Sequence, residues 1–422
     1  MITTADLLPS EIAENETDPY VEAMAEFEDE VQTLDLEPWI VERLKNSERE
    51  VNVRLSYSLP GSGPSMVSGF RVLQSTARGP ALGPLFIAPE ISLNRVRASA
   101  MKTTWQCGLL DLPFGGSSGA LVCDPQNLSE VELKTIVQAY IETLGGMIGR
   151  FEDIVIPREG CNCKIAVWMM ESCGRHGGMP DFSAVVGKPG ASWGLPSCAV
   201  ATEGVVFLMN EILSERGASL NHQRVIVQGF GQTGSAIAAS AYAMGGRVVG
   251  LADISGALYR EDGIRLQDVE SYFRSGGMLY GFPDADAVSN ADLLEAPADI
   301  LVLAARENQI TRTNAEHVRA RMLIEVAEGA ISTAGLEILD EREIAVVPEL
   351  LANAGSLAGA FLEWKQGMHF CRLAQDEIQD SLKRRMANMW SDLRQFRGSG
   401  NLRHKALQLG ITRVAEAVRS LQ

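Results

Sequence analysis

The chain has 422 residues, 46% of them hydrophobic and 22% charged, with a formal net charge of −17. Such a length buries large cores and divides into two or three domains, while the acidic balance repels phosphate and excludes a nucleic-acid partner. No run of about 18 apolar residues marks a membrane span, and Met1–Asp6 lacks the basic-then-apolar pattern of a signal peptide, so a cytoplasmic protein with no membrane partner is expected. Seven cysteines without a CxxC pair and five scattered histidines predict free thiols and no metal.

Charge is spread unevenly. Residues 1–50 carry three basic and fifteen acidic side chains, whereas residues 381–422 carry nine basic and two acidic. These complementary ends are either two solvated helical faces or partners packed within one domain or across subunits. In chain order, Asp18 and Pro19 predict the cap and first residue of a helix reaching about Lys45. Short β-type runs at Val51–Leu55 and Phe70–Leu73, Gly/Pro turns and two helices, over about Leu93–Gly108 and Ser129–Gly145, predict an α+β domain. Within it, Pro113–Gly119 reads as a glycine-framed loop without a titratable side chain. A turn-rich link at Gly187–Ala191 leads to a long helix from about Ala199 to Glu215, and a βαβ pattern then opens a second domain.

That second domain carries the clearest local motif. The apolar strand Arg224–Gln228 runs into Gly229-Phe230-Gly231-Gln232-Thr233-Gly234, an alanine-rich helix over Ser235–Met244, and a strand that ends at Asp253. The first glycine makes the tight turn, the second admits a pyrophosphate to the backbone, and the third lets helix and strand pack closely. The helix N-terminus supplies amide donors to the phosphates. Asp253 is placed to accept from a ribose 2′-hydroxyl and to repel a 2′-phosphate, which favours NAD over NADP as cofactor. A Rossmann domain kept only as scaffold is the alternative.

Ordered along the chain are Gly69-Phe70-Arg71-Val72, Ala77-Arg78-Gly79-Pro80, Leu112-Pro113-Phe114-Gly115-Gly116, Asp124-Pro125, Val227-Gln228-Gly229-Phe230-Gly231, Leu351-Ala352-Asn353-Ala354-Gly355 and Glu363-Trp364. Together they resemble the glutamate dehydrogenase family, which includes leucine, phenylalanine and valine dehydrogenases, from about Pro19 to Arg419. The resemblance implies an α/β protein with an N-terminal α+β substrate and assembly domain, residues 1–186 with 360–422. A Rossmann domain over 187–359, C-terminal helices returning to the first domain and a hexamer complete that expectation.

The resemblance also places the family's chemistry, which needs cations to hold carboxylates, an amine of lowered pKa and a carboxylate that moves protons. Leu82 stands at the lysine of GPxKGGxR and Phe86 at its arginine; Gln106 stands at the lysine of an MTxK helix. Ser118 stands at the catalytic lysine of GGxKGG, and Gly160 at the catalytic aspartate of IPAPD. Ala360 replaces a serine that touches substrate and Ile331 the asparagine of EGAN, whereas Asn353 of LANAG remains. A charged hydrogen bond to substrate is worth roughly 1.5–3 kcal/mol and a positioned acid or base about 10²–10⁴ in rate, so these departures together predict no glutamate turnover.

Three readings follow. The preferred one is a non-catalytic regulatory subunit that assembles with a catalytic glutamate dehydrogenase paralogue in a hexamer. Its less cationic pocket of Leu82, Gln106, Ser118, Gly160 and Ala360 would take an apolar amino-acid effector or nothing. The second is an active NAD-dependent amino-acid dehydrogenase of altered substrate, with catalysis relocated to Lys102, one helical turn before Gln106, or to Glu159, Lys164 or Lys188. Against it, Lys102 reads more simply as a solvated helix residue. The third is an NAD sensor or structural homo-oligomer without a dehydrogenase partner.

Overall fold

The computed structural model describes residues 18–57, 65–175 and 178–421; the Met1–Asp6 run read above for targeting lies outside them. In chain order the first half forms α1 (Pro19–Gln32), α2 (Pro38–Lys45), β1 (Arg49–Tyr57), β2 (Ser65–Ser75), β3 (Ala81–Ile87), α3 (Leu93–Leu109), β4 (Gly115–Val122), α4 (Glu130–Leu144), β5 (Asp153–Pro157) and α5 (Cys163–Gly174). Its five strands make one sheet in the order β1-β2-β4-β3-β5, in which β1, β2 and β4 pair antiparallel and β3 is parallel to both β4 and β5.

Where this half departs from the sequence expectation, local chemistry gives the reason. The single helix expected from Asp18 to Lys45 is two, because Pro38 cannot extend a helix behind it and holds Glu37 extended at φ −65°, ψ 138°. Asp18 does cap α1, accepting from the Tyr20 amide at 2.9 Å. Helix α5 has no counterpart among the expected elements; Asn162 caps it through the amides of Lys164 and Ile165. The stretch read as a glycine-framed loop is instead the internal strand β4. Glycine is needed there for close approach: a Cβ on Gly116 would meet Thr104 Oγ1 of α3 at 2.1 Å, and one on Gly119 the Tyr140 hydroxyl of α4 at 2.6 Å. A helix presses on each face of the strand.

The second half continues with α6 (Ser197–Glu215), β6 (Arg224–Gln228), α7 (Gln232–Ala243), β7 (Arg247–Asp253), β8 (Gly256–Tyr259), α8 (Leu266–Arg274), β9 (Asp286–Val288), α9 (Asn290–Leu294), β10 (Ile300–Leu303), β11 (Met322–Glu325), α10 (Thr333–Glu341), β12 (Ala345–Val347), α11 (Glu349–Ala352), α12 (Ala354–His369), α13 (Gln375–Gln395) and α14 (Leu402–Ser420). The seven strands order as β12-β11-β10-β6-β7-β8-β9. Strands β12 to β7 run parallel, and β8 and β9 add an antiparallel edge. Every residue of β10 and of β11 is buried, as expected of strands covered by helices on both faces. Helix α6 is long and apolar enough to cross a membrane by length and composition alone. It packs against α12, and the Gly204 and Gly355 backbones come too close to admit a Cβ on either.

The first and last described helices meet, while residues 1–17 of the acidic stretch lie outside the described residues. Helix α14 packs along α3, α1 and α2 of the first half, with Arg403 on Glu26 at 2.7 Å, His404 on Glu30 and Arg419 Nε on Glu37 at 3.0 Å. Underneath, Phe27 stacks on Trp105 at 5.3 Å between ring centres. Of the two readings of the charged ends, packing within one chain is the one observed.

Candidate functional site

At the second sheet, the turn after β6 brings Gly229 to Gly234 beside Asp253 at the end of β7, whereas Asn353 lies apart, between α11 and α12. Gly229 has φ +94° and its amide and that of Phe230 both donate to Ala252 O, at 2.8 and 2.7 Å, which holds the turn beside the end of β7. A Cβ on Gly234 would meet Gly229 O at 1.8 Å, so helix α7 touches the turn backbone directly. Gly231 faces open space and precedes α7 as a cap without a side chain, leaving the first amides of the helix directed at that space. Gln232 and Thr233 form the first turn of α7. Asp253 Oδ1 accepts from the Ser255 amide at 2.7 Å and its hydroxyl at 2.6 Å, and Oδ2 has no such bond among the described residues. An uncapped helix N-terminus beside an unobstructed glycine fits a pyrophosphate, with a carboxylate on the adjacent strand end.

The positions where the resemblance places substrate chemistry look different. Leu82 and Ser118 have no exposed surface, and Ala360 keeps 7%. Leu82 and Ala360 belong to one packed core with Met101, Trp105 and Phe114, so neither lines an open pocket in this state. Ser118 Oγ is buried without a hydrogen-bond partner among the described residues. Its neighbour Ser117 points to the other face of β4 and is fully engaged: Arg71 donates to Ser117 Oγ at 2.8 Å and bidentately to Asp153 at 2.7 and 2.5 Å, and Ser117 donates to Asp153 at 2.6 Å. One residue along a strand separates a satisfied charge network from an orphaned hydroxyl.

Gly160 departs in its backbone as well as its side chain. Its φ is +74°, and a Cβ there would stand 1.9 Å from Ile87 O. Gln106 reaches away from the sheet toward α11, its Nε2 lying 3.5 Å from the carbonyls of Glu349 and Leu350. On the nicotinamide side, Ile331 is 3% exposed within the core of the second sheet, and Asn353 Nδ2 donates to Val326 O at 3.3 Å.

The candidate relocated groups are all engaged. Lys102 is not a solvated helix residue: its Nζ lies 2.7 Å from Glu349 and 3.5 Å from Glu328, with a quarter of its side chain exposed. Burial lowers the pKa of this ammonium, but the carboxylates outweigh that and raise it, holding the amine charged. Glu159 pairs with Arg95 at 2.8 Å and Lys164 with Glu130 at 2.7 Å, both exposed. Lys188 is sealed against Glu363 at 2.6 Å, and burial pulls its ammonium down.

Two family profiles match the chain: Glu/Leu/Phe/Val dehydrogenase, dimerisation domain, over residues 47–175, and Glutamate/Leucine/Phenylalanine/Valine dehydrogenase over residues 197–421. The chain belongs to the Glu/Leu/Phe/Val dehydrogenase family. Among its relatives, the cryptic catabolic NAD-specific glutamate dehydrogenase GudB of Bacillus subtilis is 31% identical over 391 residues, 90% of each chain. The NADP-specific glutamate dehydrogenase of Saccharolobus shibatae is 30% identical over 396 residues, 93% of each. Among solved structures, the hetero-hexameric glutamate dehydrogenase from Thermus thermophilus in its Leu-bound form superposes with a TM-score of 0.90 at 29% identity, covering 97% of this chain and 98% of that one.

Within this family fold, the sequence reading missed the groups that surround Lys102. Glu325, at the end of β11, is 1% exposed and accepts from the Ile331 amide at 3.0 Å and the Glu349 amide at 3.3 Å. Burial, reinforced by the Glu349 carboxylate against the opposing pull of Arg403, pushes its pKa up to about 7. The signal was present in Met322-Leu323-Ile324-Glu325: a carboxylate closing a wholly apolar strand is buried with it and needs partners.

Proposed function

We propose that this chain is a non-catalytic member of the glutamate dehydrogenase family that assembles with a catalytically intact paralogue, in a hexamer, and regulates it. Gly160 carries the reading. A substituted side chain at a working site could revert by one mutation, but a left-handed backbone pressed on Ile87 O has no room for the aspartate. The orphaned hydroxyl of Ser118, fully buried, supports the same reading, because a group that touched substrate would be reached from the cleft. Lys102, paired to two carboxylates whose pull raises its pKa, does not offer the amine of lowered pKa that this chemistry needs.

NAD is the ligand we assign to the second sheet. Gly229 to Gly234 and the first turn of α7 would hold its pyrophosphate, and the free Oδ2 of Asp253 its adenine ribose; bound there, the cofactor supplies affinity and a bias between domain states. An apolar amino acid is the effector class, supported by the Leu-bound form of the Thermus thermophilus hetero-hexamer. The test is NAD-dependent oxidation of glutamate and of leucine by the purified chain, alone and after co-expression with an intact glutamate dehydrogenase from the same genome. The expected result is silence alone, with co-purification and altered kinetics of the partner. Turnover by the chain alone, above a heat-killed control, contradicts the proposal; NAD binding with no partner captured favours a sensor that works by itself.

A further inference from the structure

Six charged side chains from distant parts of the chain meet where the two sheet units touch: Glu26 on α1, Lys102 on α3, Glu325 ending β11, Glu328 in the loop beyond it, Glu349 opening α11 and Arg403 on α14. Both cations stand on helices packed in the first unit, and three of the four carboxylates belong to the second. Lys102 reaches Glu349 at 2.7 Å and Glu328 at 3.5 Å, while Arg403 spans Glu26 at 2.7 Å and Glu325 at 3.4 Å. The carboxylates are held in place beforehand, since Glu349 Oε2 accepts from the Gly329 amide at 2.8 Å and Glu325 from the Ile331 amide at 3.0 Å. One helical turn beyond Lys102, on the same face of α3, Gln106 approaches the carbonyls of α11. Met101, Trp105, Leu350 and Leu407 line the same space as Glu26, Lys102, Glu349 and Arg403, and these apolar neighbours strengthen the Lys102–Glu349 and Arg403–Glu26 pairs.

We infer that this cluster is an interdomain latch, with Lys102 as its bridging residue, that holds the cleft closed without any ligand. Domain closure in this chain is then set by the chain's own charges instead of by substrate. Neighbouring subunits would experience a member whose open state is rare until the pairs are broken. The latch is independent of the non-catalytic reading, because it is measured by exchange and not by turnover.

The test is amide hydrogen exchange on the full chain, in whatever oligomer it forms, at the 326–331 loop and α11. The parent should show protection at Gly329 and Ile331 that neither glutamate nor NAD increases. Lys102→Gln should speed exchange there by about tenfold, the loss of its partly buried pair with Glu349 and its longer one with Glu328, and leave β2 and β4 unchanged. About 1 M salt should reproduce part of the effect in the parent, since Lys102 and Glu328 are 25% and 38% exposed. Should Lys102→Gln not fold, Glu328→Gln leaves the Glu349 pair intact and should give a smaller change of the same sign. Protection that rises on adding glutamate, or that is unchanged in both variants and in salt, overturns the latch.

Discussion

The two ends of the cleft have been treated differently. At the nucleotide end, recognition rests on backbone: an exposed glycine, a turn fixed by Ala252 O and the bare amides of α7 remain open. At the other end, where the resemblance places lysines and an aspartate, recognition rests on side chains, and there Leu82 and Ala360 join the core while Gly160 is pressed on Ile87. A site made of backbone persists as long as the fold does, because the same hydrogen bonds hold both. A site made of long charged side chains has no such protection, and apolar residues that replace them are recruited into packing.

The sharpest way to break this contrast is to put the aspartate back. Gly160→Asp forces a Cβ against a backbone oxygen in a left-handed conformation, and should cost about 3–4 kcal/mol of stability in denaturant unfolding without restoring activity. If the variant is as stable as the parent, the backbone there is adaptable and the contrast fails. Next in size is Glu325→Gln. Because the folded pKa of Glu325 is raised from its ordinary value to about 7, the native state takes up a proton before the unfolded one as pH falls. This carboxylate therefore adds stability as pH drops from about 7 to about 4.5 and withholds it above, a swing of about 3 kcal/mol. Stability curves of parent and Glu325→Gln should diverge over that window, the variant being the more stable at neutral pH; parallel curves would contradict the burial argument. The smallest effect concerns β4. Ser118→Ala removes an unpartnered buried hydroxyl and should raise stability by about 1 kcal/mol, whereas Ser117→Ala, which strips a partner from Arg71 and Asp153, should lower it. A loss at Ser118 equal to that at Ser117 would reveal a hydrogen bond that the orphan reading denies.

Much of this was legible before the fold was known. Strand, glycine turn, helix, strand and terminal acid occur within thirty residues, so local sequence alone determines the nucleotide end. The complementary ends were legible as charge, because Arg403, His404 and Arg419 lie in a basic stretch and Glu26, Glu30 and Glu37 in an acidic one. Strand β4 was not, since glycines and serines carry a turn signal and only the helices on both faces explain them. The latch was hidden for another reason. Residues 26, 102, 325, 349 and 403 share no spacing, and Lys102 becomes interpretable only once α3 lies against α11.

The central claim is that the nucleotide end still binds while the substrate end no longer takes glutamate. Calorimetric titration of NAD into the purified chain, with and without saturating glutamate, tests it most directly. The account predicts NAD binding with an affinity that glutamate leaves unchanged and no reduced nicotinamide formed. Tighter NAD binding in the presence of glutamate, or any reduced nicotinamide, would contradict it.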